Sequence, residues 1–205
     1  MNYDSLYKII TSISDIMTEN KDYLVSLDQQ NGDGDLGISM ASGYEAVKNY
    51  VADAEERDLG KLLMKCSSVF NEAAPSSLGT ITSFGFMGMA KALKGKEEAD
   101  FTECVNALEA GLNKIMEKAK SKPGEKTILD AIHPAIEALK NSDPSDKISA
   151  LKAAAEAAAQ GSENTKNMRS VHGRAAYYAE KSIGTLDGGS VVGRLIFEAI
   201  YKCYC

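Results

Sequence analysis

The apolar residues of this 205-residue chain recur at three- and four-residue spacing almost from end to end. The first segment shows the pattern clearly, with apolar side chains at Tyr3, Leu6, Ile9, Ile10, Ile13, Ile16 and Met17. This period places them on one face of an amphipathic helix, and no segment shows the sustained two-residue alternation of a half-buried strand. The sequence therefore predicts an all-α protein, and the short connections predict that neighbouring helices run antiparallel.

Capping, glycine and proline signals divide the chain into helices and joints. We predict helices over residues 3–18, 21–28, 38–54, 58–74, 78–94, 100–120, 127–140, 146–160, 170–183 and 189–203. Short joints containing Gly, Pro or Ser are predicted at 32–37, 75–77, 121–126, 141–145, 161–165 and 184–189. The most linker-like stretch, 120–126, is too short to separate domains, so we expect a single domain over residues 1–205.

The composition argues against several classes of function. The net charge of −6 and the pI near 5.1 disfavour a nucleic-acid-binding protein, because recognition of a phosphate backbone needs a basic surface. No apolar run approaches the length that spans a bilayer, and the first residues lack the basic and apolar regions of a signal peptide. We expect a cytoplasmic protein without a membrane or nucleic-acid partner.

Three aspartates, Asp28, Asp33 and Asp35, lie within eight residues and are interleaved with glycines. No Lys or Arg occurs from position 22 to position 47 to balance their charge. Clustered carboxylates repel one another unless a cation holds them, and the glycines allow the tight turn that would bring them together. The segment therefore indicates a site for a divalent cation. A solvated turn between two helices remains the alternative.

The best-known acidic metal loop, the EF-hand, does not fit this segment. An EF-hand needs oxygen ligands at positions 1, 3 and 5 and a glutamate at position 12. Counted from Asp28, position 5 is Gly32 and position 12 is Ser39; counted from Asp33, position 12 is Tyr44. So few protein ligands would leave coordination sites open, which suits Mg²⁺ carrying phosphate oxygens better than caged Ca²⁺.

Other catalytic chemistries find little support. The chain has four cysteines and two histidines without zinc-type spacing, at Cys66, Cys104, Cys203, Cys205, His133 and His172. We expect free thiols and assign no catalytic nucleophile or base. No G-x-x-x-x-G-K-[ST] loop occurs, and no G-x-G-x-x-G follows a strand, so the nucleotide folds built on parallel sheets are poor templates.

Helix starts elsewhere carry residues that suit an anion. Segment 74–80 contains Ser76, Ser77, Gly79 and Thr80, segment 123–130 is a turn leading into a helix, and segment 172–176 contains Arg174. Free N–H groups and the helix dipole favour phosphate at such positions, and arginine can bind it through two donors. Ordinary capping by the serines, an ordinary helix start and a surface arginine are the alternatives.

Over nearly its whole length the chain resembles the L subunit, or nucleotide-binding domain, of dihydroxyacetone kinases. The matching residues form four blocks in the family's order: Leu27-Asp28 with Gly32-Asp33-Gly34-Asp35 and Gly37; Ser76-Ser77; Gly124-Glu125-Lys126-Thr127 with Asp130-Ala131 and Pro134-Ala135; and Gly173-Arg174-Ala175 with Ser182-Ile183-Gly184, Asp187 and Gly189. The resemblance implies a closed barrel of eight antiparallel amphipathic helices with the nucleotide bound at one end. The spaced aspartates are the most specific part of the match.

The resemblance also implies roles for individual residues. Asp28, Asp33 and Asp35 would hold two Mg²⁺ ions that bridge the phosphates of ADP or ATP. The implied nucleotide-binding residues are Leu36, Gly37, Ile38, Ser39, Ser76, Ser77, Gly79, Thr80, Ala119, Ile128, Arg174, Asp187, Gly188 and Gly189. Three positions depart from the family pattern: Leu36 replaces a histidine, Leu78 precedes Gly79, and Gly188 replaces a proline.

The implied activity is a phosphotransferase that works with a partner. This chain would hold the nucleotide, and a separate K-type subunit would hold a short hydroxyketone such as dihydroxyacetone. The phosphoryl donor is ATP in one branch of the family and a phosphotransferase-system protein acting on bound ADP in the other. The alternatives are a nucleotide-binding regulatory module without turnover, and a kinase subunit for another ketose or for a non-sugar acceptor.

Overall fold

A computed structural model describes residues 1–30 and 32–205 as a bundle of helices. The α-helices are α1 (Tyr3–Glu19), α2 (Lys21–Asp28), α3 (Leu36–Asp53), α4 (Leu59–Ala73), α5 (Ser77–Ala92), α6 (Phe101–Ala119), α7 (Leu129–Lys140), α8 (Lys147–Asn164) and α9 (Gly188–Lys202). Two 3₁₀ helices, Thr165–Asn167 and Arg174–Ser182, lie between α8 and α9. The described residues contain no strand, and the predicted all-α fold class is confirmed.

Neighbouring helices run in opposite directions. A Cβ built on Gly60, at the start of α4, would lie 2.7 Å from the carbonyl oxygen of Ala90, near the end of α5. Likewise a Cβ on Gly161, near the end of α8, would lie 2.1 Å from the carbonyl oxygen of Asp130, near the start of α7. Because directions alternate, the starts of α3, α5, α7 and α9 lie at one end of the bundle.

The order of helix contacts closes on itself. α1 packs on α3, each helix from α3 to α8 packs on the next, and α9 packs back on α1. The short α2 lies against α3 and also contacts α9. α7 also packs on α9. The closed barrel of eight helices that the resemblance implies stays a prediction.

The faces turned inward are the apolar stripes predicted from the sequence. Phe70 is fully buried, and its ring centroid lies 4.9 Å from that of Tyr44 and 5.8 Å from that of Phe86. Leucine, isoleucine and valine from the other helices extend this core, and alanines line α8 where it meets its neighbours. None of the helices in the described ranges combines the length and apolarity needed to cross a membrane.

Two predicted boundaries between α8 and α9 are wrong. The joint predicted at 161–165 begins too early, because α8 continues to Asn164. The helix predicted over 170–183 is instead a 3₁₀ segment interrupted at Ala179, where φ is 47° and ψ is −122°. Its apolar side chains find no core to pack against, and Tyr177 is 90% exposed. We refer to residues 165–187 as the rim segment.

The four cysteines are free thiols, as expected. Burial raises the pKa of the Cys66 thiol to about 12. Because the thiolate is the nucleophilic form, burial makes Cys66 an inert core residue.

Candidate functional site

The three aspartates lie where α2 ends and α3 begins. Asp28 is the last residue of α2, Asp35 immediately precedes α3, and Asp33 lies between them. One carboxylate oxygen from each lies within 4.8 Å of the other two. The structure thus brings together three hard oxygen ligands, the type that Mg²⁺ prefers. We refer to these residues as the acid cluster.

The local backbone explains how the acid cluster forms. Asp28 Oδ2 accepts hydrogen bonds from the backbone N–H groups of Gly34 (2.8 Å) and Asp35 (3.1 Å), so the loop folds back over this carboxylate. Gly34 has a φ of +78°, in the region that favours glycine. A Cβ on Gly32 would lie 2.2 Å from Asp28 Oδ1, so a side chain there would displace the carboxylate. These glycines are part of the geometry of the cluster.

The negative charges of the cluster act on one another. Desolvation, followed by the charges of Asp33 and Asp28, raises the pKa of Asp35, while the charge of Arg174 lowers it. Arg174 Nη1 lies 2.5 Å from Asp33 Oδ2. A guanidinium from the rim segment therefore already balances part of the charge, and it lies where a phosphate bound to the cluster would also be within its reach.

The first turn of α3 presents backbone rather than side chains to the cluster. Asp35 makes no side-chain capping bond, so the N–H groups of Leu36, Gly37 and Ile38 have no partner within the helix. Leu36 is buried, Ile38 is 52% exposed, and the Ser39 hydroxyl donates to the carbonyl of Asp35 at 2.7 Å. This turn has the features of an anion site at a helix start.

The start of α9 lies against this turn and against the start of α7. A Cβ on Gly188 would lie 2.6 Å from Leu36 Cδ2, and a Cβ on Gly189 would lie 3.4 Å from the Ile128 nitrogen. Leu36 and Gly188, two of the departures from the family pattern, therefore pack against each other. A residue with a side chain at position 188 would collide with Leu36 in this arrangement.

Asp187 serves as the N-cap of α9, with its Oδ2 accepting from the Ser190 N–H at 2.6 Å. Burial raises the pKa of Asp187 to about 7, against the hydrogen bond from Ser190 and the charge of Lys126; the negative charges of Asp130 and Asp28 raise it further. This carboxyl group is therefore a titrating neighbour of the acid cluster near neutral pH.

The other predicted nucleotide-binding residues lie at the same end of the bundle. Ser76 caps α5, its Oγ accepting from the Gly79 N–H at 3.0 Å, and a Cβ on Gly79 would lie 1.9 Å from the Ala74 carbonyl oxygen. The capping alternative therefore accounts for Ser76. Ser77 and Thr80 are exposed on the first turn of α5, and Ala119 is the last residue of α6.

Two residues that fix this end of the molecule received no role in the sequence analysis. Lys126 is 5% exposed, and its ammonium donates to backbone carbonyls of the rim segment. Asp130 is 4% exposed and accepts from the N–H groups of Gly124 and Thr127, at 2.5 and 2.7 Å. Both lie in a block that matches the family, but lysine is so rarely buried that no sequence pattern signalled its position.

Comparison with known proteins finds a family model and related subunits that match most of the chain. The family model of the DAK2 domain matches residues 30–202. The ADP-binding subunit DhaL of PEP-dependent dihydroxyacetone kinase 1 from Listeria innocua is 33% identical over 204 residues, 98% of each chain. The ADP-binding subunit DhaL of the Escherichia coli PEP-dependent enzyme is 27% identical, covering 88% of this chain and 87% of its own.

The fold is also found in a solved structure. The crystal structure of the dihydroxyacetone kinase from C. freundii in complex with AMP-PNP and Mg²⁺ matches 96% of this chain with a TM-score of 0.77 at 22% identity. The matched region is 33% of that kinase chain, so the present chain spans about a third of its length. With the family model covering most of the sequence, the chain belongs to the DAK2 domain family, as its resemblance to the L subunits of dihydroxyacetone kinases implied.

Proposed function

We propose that this chain is the nucleotide-binding subunit of a dihydroxyacetone-type kinase. It binds Mg-ADP or Mg-ATP at the acid cluster and transfers the terminal phosphoryl group to a short hydroxyketone held on a separate K subunit. The observation that carries the proposal is the convergence of three carboxylates beside Arg174 and beside the first N–H groups of α3, which have no partner within the helix. Similarity to subunits named as ADP-binding supports it.

The residues present fit the metal. Asp28, Asp33 and Asp35 offer only hard oxygen ligands, and a glycine-rich loop holds one of the carboxylates in place. They would hold Mg²⁺, two ions by the resemblance, and the bound metal would neutralise phosphoryl charge during transfer. No side chain is assigned as a general base, so the chain itself would contribute positioning and electrostatic stabilisation.

Residues around the cluster would bind the rest of the nucleotide. The N–H groups of Leu36, Gly37 and Ile38 would donate to phosphate oxygens, and Arg174 would add a charge-assisted hydrogen bond. The start of α5, with Ser76 to Thr80, would complete the phosphate site. Ala119, Ile128 and the Asp187–Gly189 turn would line the nucleoside portion.

The two DhaL relatives are named as subunits of PEP-dependent dihydroxyacetone kinases. This favours the branch in which ADP stays bound and a phosphotransferase-system protein rephosphorylates it. The purified protein is then expected to carry ADP, which acid extraction and chromatography would detect. A protein that arrives empty and exchanges ATP freely would place it in the other branch.

The decisive experiment is a titration of ADP into the nucleotide-free protein with and without Mg²⁺, comparing the wild type with Asp33→Asn. We expect Mg²⁺-dependent binding in the wild type, its loss in the variant, and an unchanged far-UV circular dichroism spectrum. Asp53→Asn, at the opposite end of α3, is the matched control. Undiminished affinity in Asp33→Asn would refute the proposed metal site.

A coupled assay with a K subunit then tests transfer. Phosphorylation of dihydroxyacetone, or of another ketose in a panel of acceptors, is expected only when both subunits are present. Nucleotide binding without transfer to any acceptor would instead identify a regulatory module.

A further inference from the structure

The rim segment carries Arg174 to the acid cluster, yet the chain before and after Arg174 has little regular structure. Gly173 and Gly184 have positive φ values of 63° and 91°, and the 3₁₀ helix between them is broken at Ala179. Two hydrogen bonds within the segment join its arms: the Ser170 N–H donates to Ser182 Oγ at 2.9 Å, and the Gly184 N–H donates to the Lys166 carbonyl at 2.8 Å. Contacts from outside then attach the segment to the helical frame. The residues that supply them determine where Arg174 lies.

Lys126 supplies the most extensive of these contacts. Its ammonium donates to the carbonyl oxygens of Ser182 (2.6 Å), Thr185 (2.7 Å) and Met168 (3.3 Å). Met168 precedes Arg174 and the other two follow it, so one ammonium joins both arms of the rim segment. A lysine ammonium has three N–H donors, one for each of these three carbonyl oxygens.

The backbone at Lys126 is itself held in an unusual conformation. Its φ of 60° lies in the left-handed region, which non-glycine residues rarely adopt. The Asp130 carboxylate accepts from the flanking N–H groups of Gly124 and Thr127 and so fixes the loop on both sides. Burial lowers the pKa of Lys126, opposed by the charge of Asp187, which fits an ammonium held away from water by its partners.

A second contact joins the same loop to the same segment. Glu125 Oε2 lies 2.6 Å from His172 Nε2, and His172 is two residues before Arg174. Arg174 in turn lies 2.5 Å from Asp33. A continuous path therefore runs from the loop before α7, through the rim segment, to the acid cluster.

We propose that Lys126 is a positioning residue for the nucleotide site: it fixes the two arms of the rim segment so that Arg174 is presented to the acid cluster. The inference rests on the proposed nucleotide-binding function and deepens it. Lys126 itself donates to protein carbonyls, so it would affect nucleotide binding through the position of Arg174. An Arg174 whose position is set before the nucleotide arrives binds a phosphate at a smaller entropic cost. Without Lys126 the same guanidinium would have to be ordered on each binding event, which lowers affinity.

The test compares Lys126→Met with the wild type. The variant keeps the unbranched stem but removes the donors, and we expect Mg-ADP affinity to fall about tenfold. Binding of Mn²⁺ alone, followed by electron paramagnetic resonance, should not weaken, because the three carboxylates are intact and a displaced Arg174 no longer competes with the cation. Lys122→Met, at an exposed position in the same loop, is the matched control and should bind as the wild type does. Lys126→Arg, which keeps charge and donors, should restore part of the affinity.

A double-mutant cycle separates positioning from a general structural role. Adding Arg174→Ala to Lys126→Met should cost much less affinity than Arg174→Ala costs in the wild type, because the arginine is already misplaced. Full additivity of the two effects would overturn the proposal. If Lys126→Met fails to fold, the same cycle is run with Lys126→Arg and is judged by the same criterion.

Hydrogen–deuterium exchange without nucleotide tests the rim contact independently of ligand binding. Faster exchange confined to residues 168–187 in Lys126→Met is expected, and unchanged exchange there would overturn the proposal. Absence of Mg-ADP binding by the wild type would overturn the proposed function. In that case faster exchange would still identify Lys126 as the residue that orders the rim segment.

Discussion

The helical frame and the rim segment are held together by different forces. In the frame, apolar side chains such as Phe70 and Leu62 are fully buried and pack from several helices at once. In the rim segment, Tyr177 is 90% exposed and Val171 is 52% exposed. Its order comes from polar contacts: hydrogen bonds within the segment, such as that from the Ser170 N–H to Ser182 Oγ, and contacts made by Lys126, His172 and Arg174.

This difference predicts how each region responds to substitution. Burial of apolar area is non-directional and is shared among many residues, so the frame follows from the overall pattern of the sequence. A few directional contacts hold the rim segment, so one substitution can move it without unfolding the protein. Binding regions are commonly drawn from such less stable parts of a fold.

The largest effect is expected in the frame. Phe70→Ala should lower the free energy of unfolding by about 3–5 kcal/mol, because it leaves a cavity between Tyr44 and Phe86. Chemical denaturation measures this change. Tyr177→Ala in the rim segment is the contrast, with an expected change below about 0.5 kcal/mol. Equal losses in the two variants would contradict the distinction between frame and rim.

Arg174→Ala should affect binding much more than stability. Its ion pair with Asp33 is exposed, so we expect a change of less than about 0.5 kcal/mol in unfolding free energy. Mg-ADP affinity should fall about tenfold, because a charge-assisted hydrogen bond to phosphate is lost. Arg169→Ala, which removes the exposed pair with Glu180 in the same segment, should leave affinity unchanged. A collapse of the melting temperature in Arg174→Ala would show that this arginine belongs to the frame.

Asp187 lies at the boundary of the two regions and should give a pH dependence. Its folded-state pKa of about 7 is above its ordinary value of 3.8, so protonation favours the folded state. The contribution of protonated Asp187 to the free energy of unfolding is fully present below about pH 3.8 and is lost as the pH rises through about 7. Asp187→Asn keeps a good N-cap without the charge, so its stability relative to the wild type should rise between pH 5 and 8, by on the order of 1 kcal/mol.

Denaturant unfolding at several pH values, without divalent metal, measures the Asp187 effect. Asp58→Asn is the control, because Asp58 also caps a helix but has a lowered pKa. Backbone N–H groups, first that of Lys61, donate hydrogen bonds to the Asp58 carboxylate and lower its pKa. That variant should not change the slope between pH 5 and 8. A constant difference between Asp187→Asn and the wild type across this range would disprove the assignment.

The smallest expected changes are those in stability when alanine is replaced by glycine, and they should differ in sign between the two regions. Ala179→Gly in the rim segment replaces a residue at φ 47° and ψ −122°, a combination that favours glycine, and should leave stability equal or raise it by up to about 1 kcal/mol. Ala159→Gly, at an exposed position inside α8, should lower stability by about 0.5–1 kcal/mol. Thermal melts of both variants check the comparison, and a loss in both would mean that Ala179 is not strained.

The helical frame and the acid cluster were accessible from the sequence because both depend on local patterns. Apolar spacing determines which face of a helix is buried, so the all-α class and most helix limits followed. Glycines between Asp28 and Asp35 indicated a tight turn, and three carboxylates without a nearby cation indicated a metal. The roles of Ser76 to Thr80, Ala119 and Ile128 in binding nucleotide remain predictions that follow from the resemblance alone.

Only the tertiary structure decided the conformation and the attachment of the rim segment. Residues 170–183 carry spacing that resembles a helix, but no helix face is available to bury them, so the segment adopts a broken 3₁₀ form. The contacts that hold it join residues 42 to 59 positions apart, from Lys126 to Met168 and Thr185. Local sequence determines local backbone preferences, whereas a buried ammonium among distant carbonyls exists only once the surrounding helices have closed.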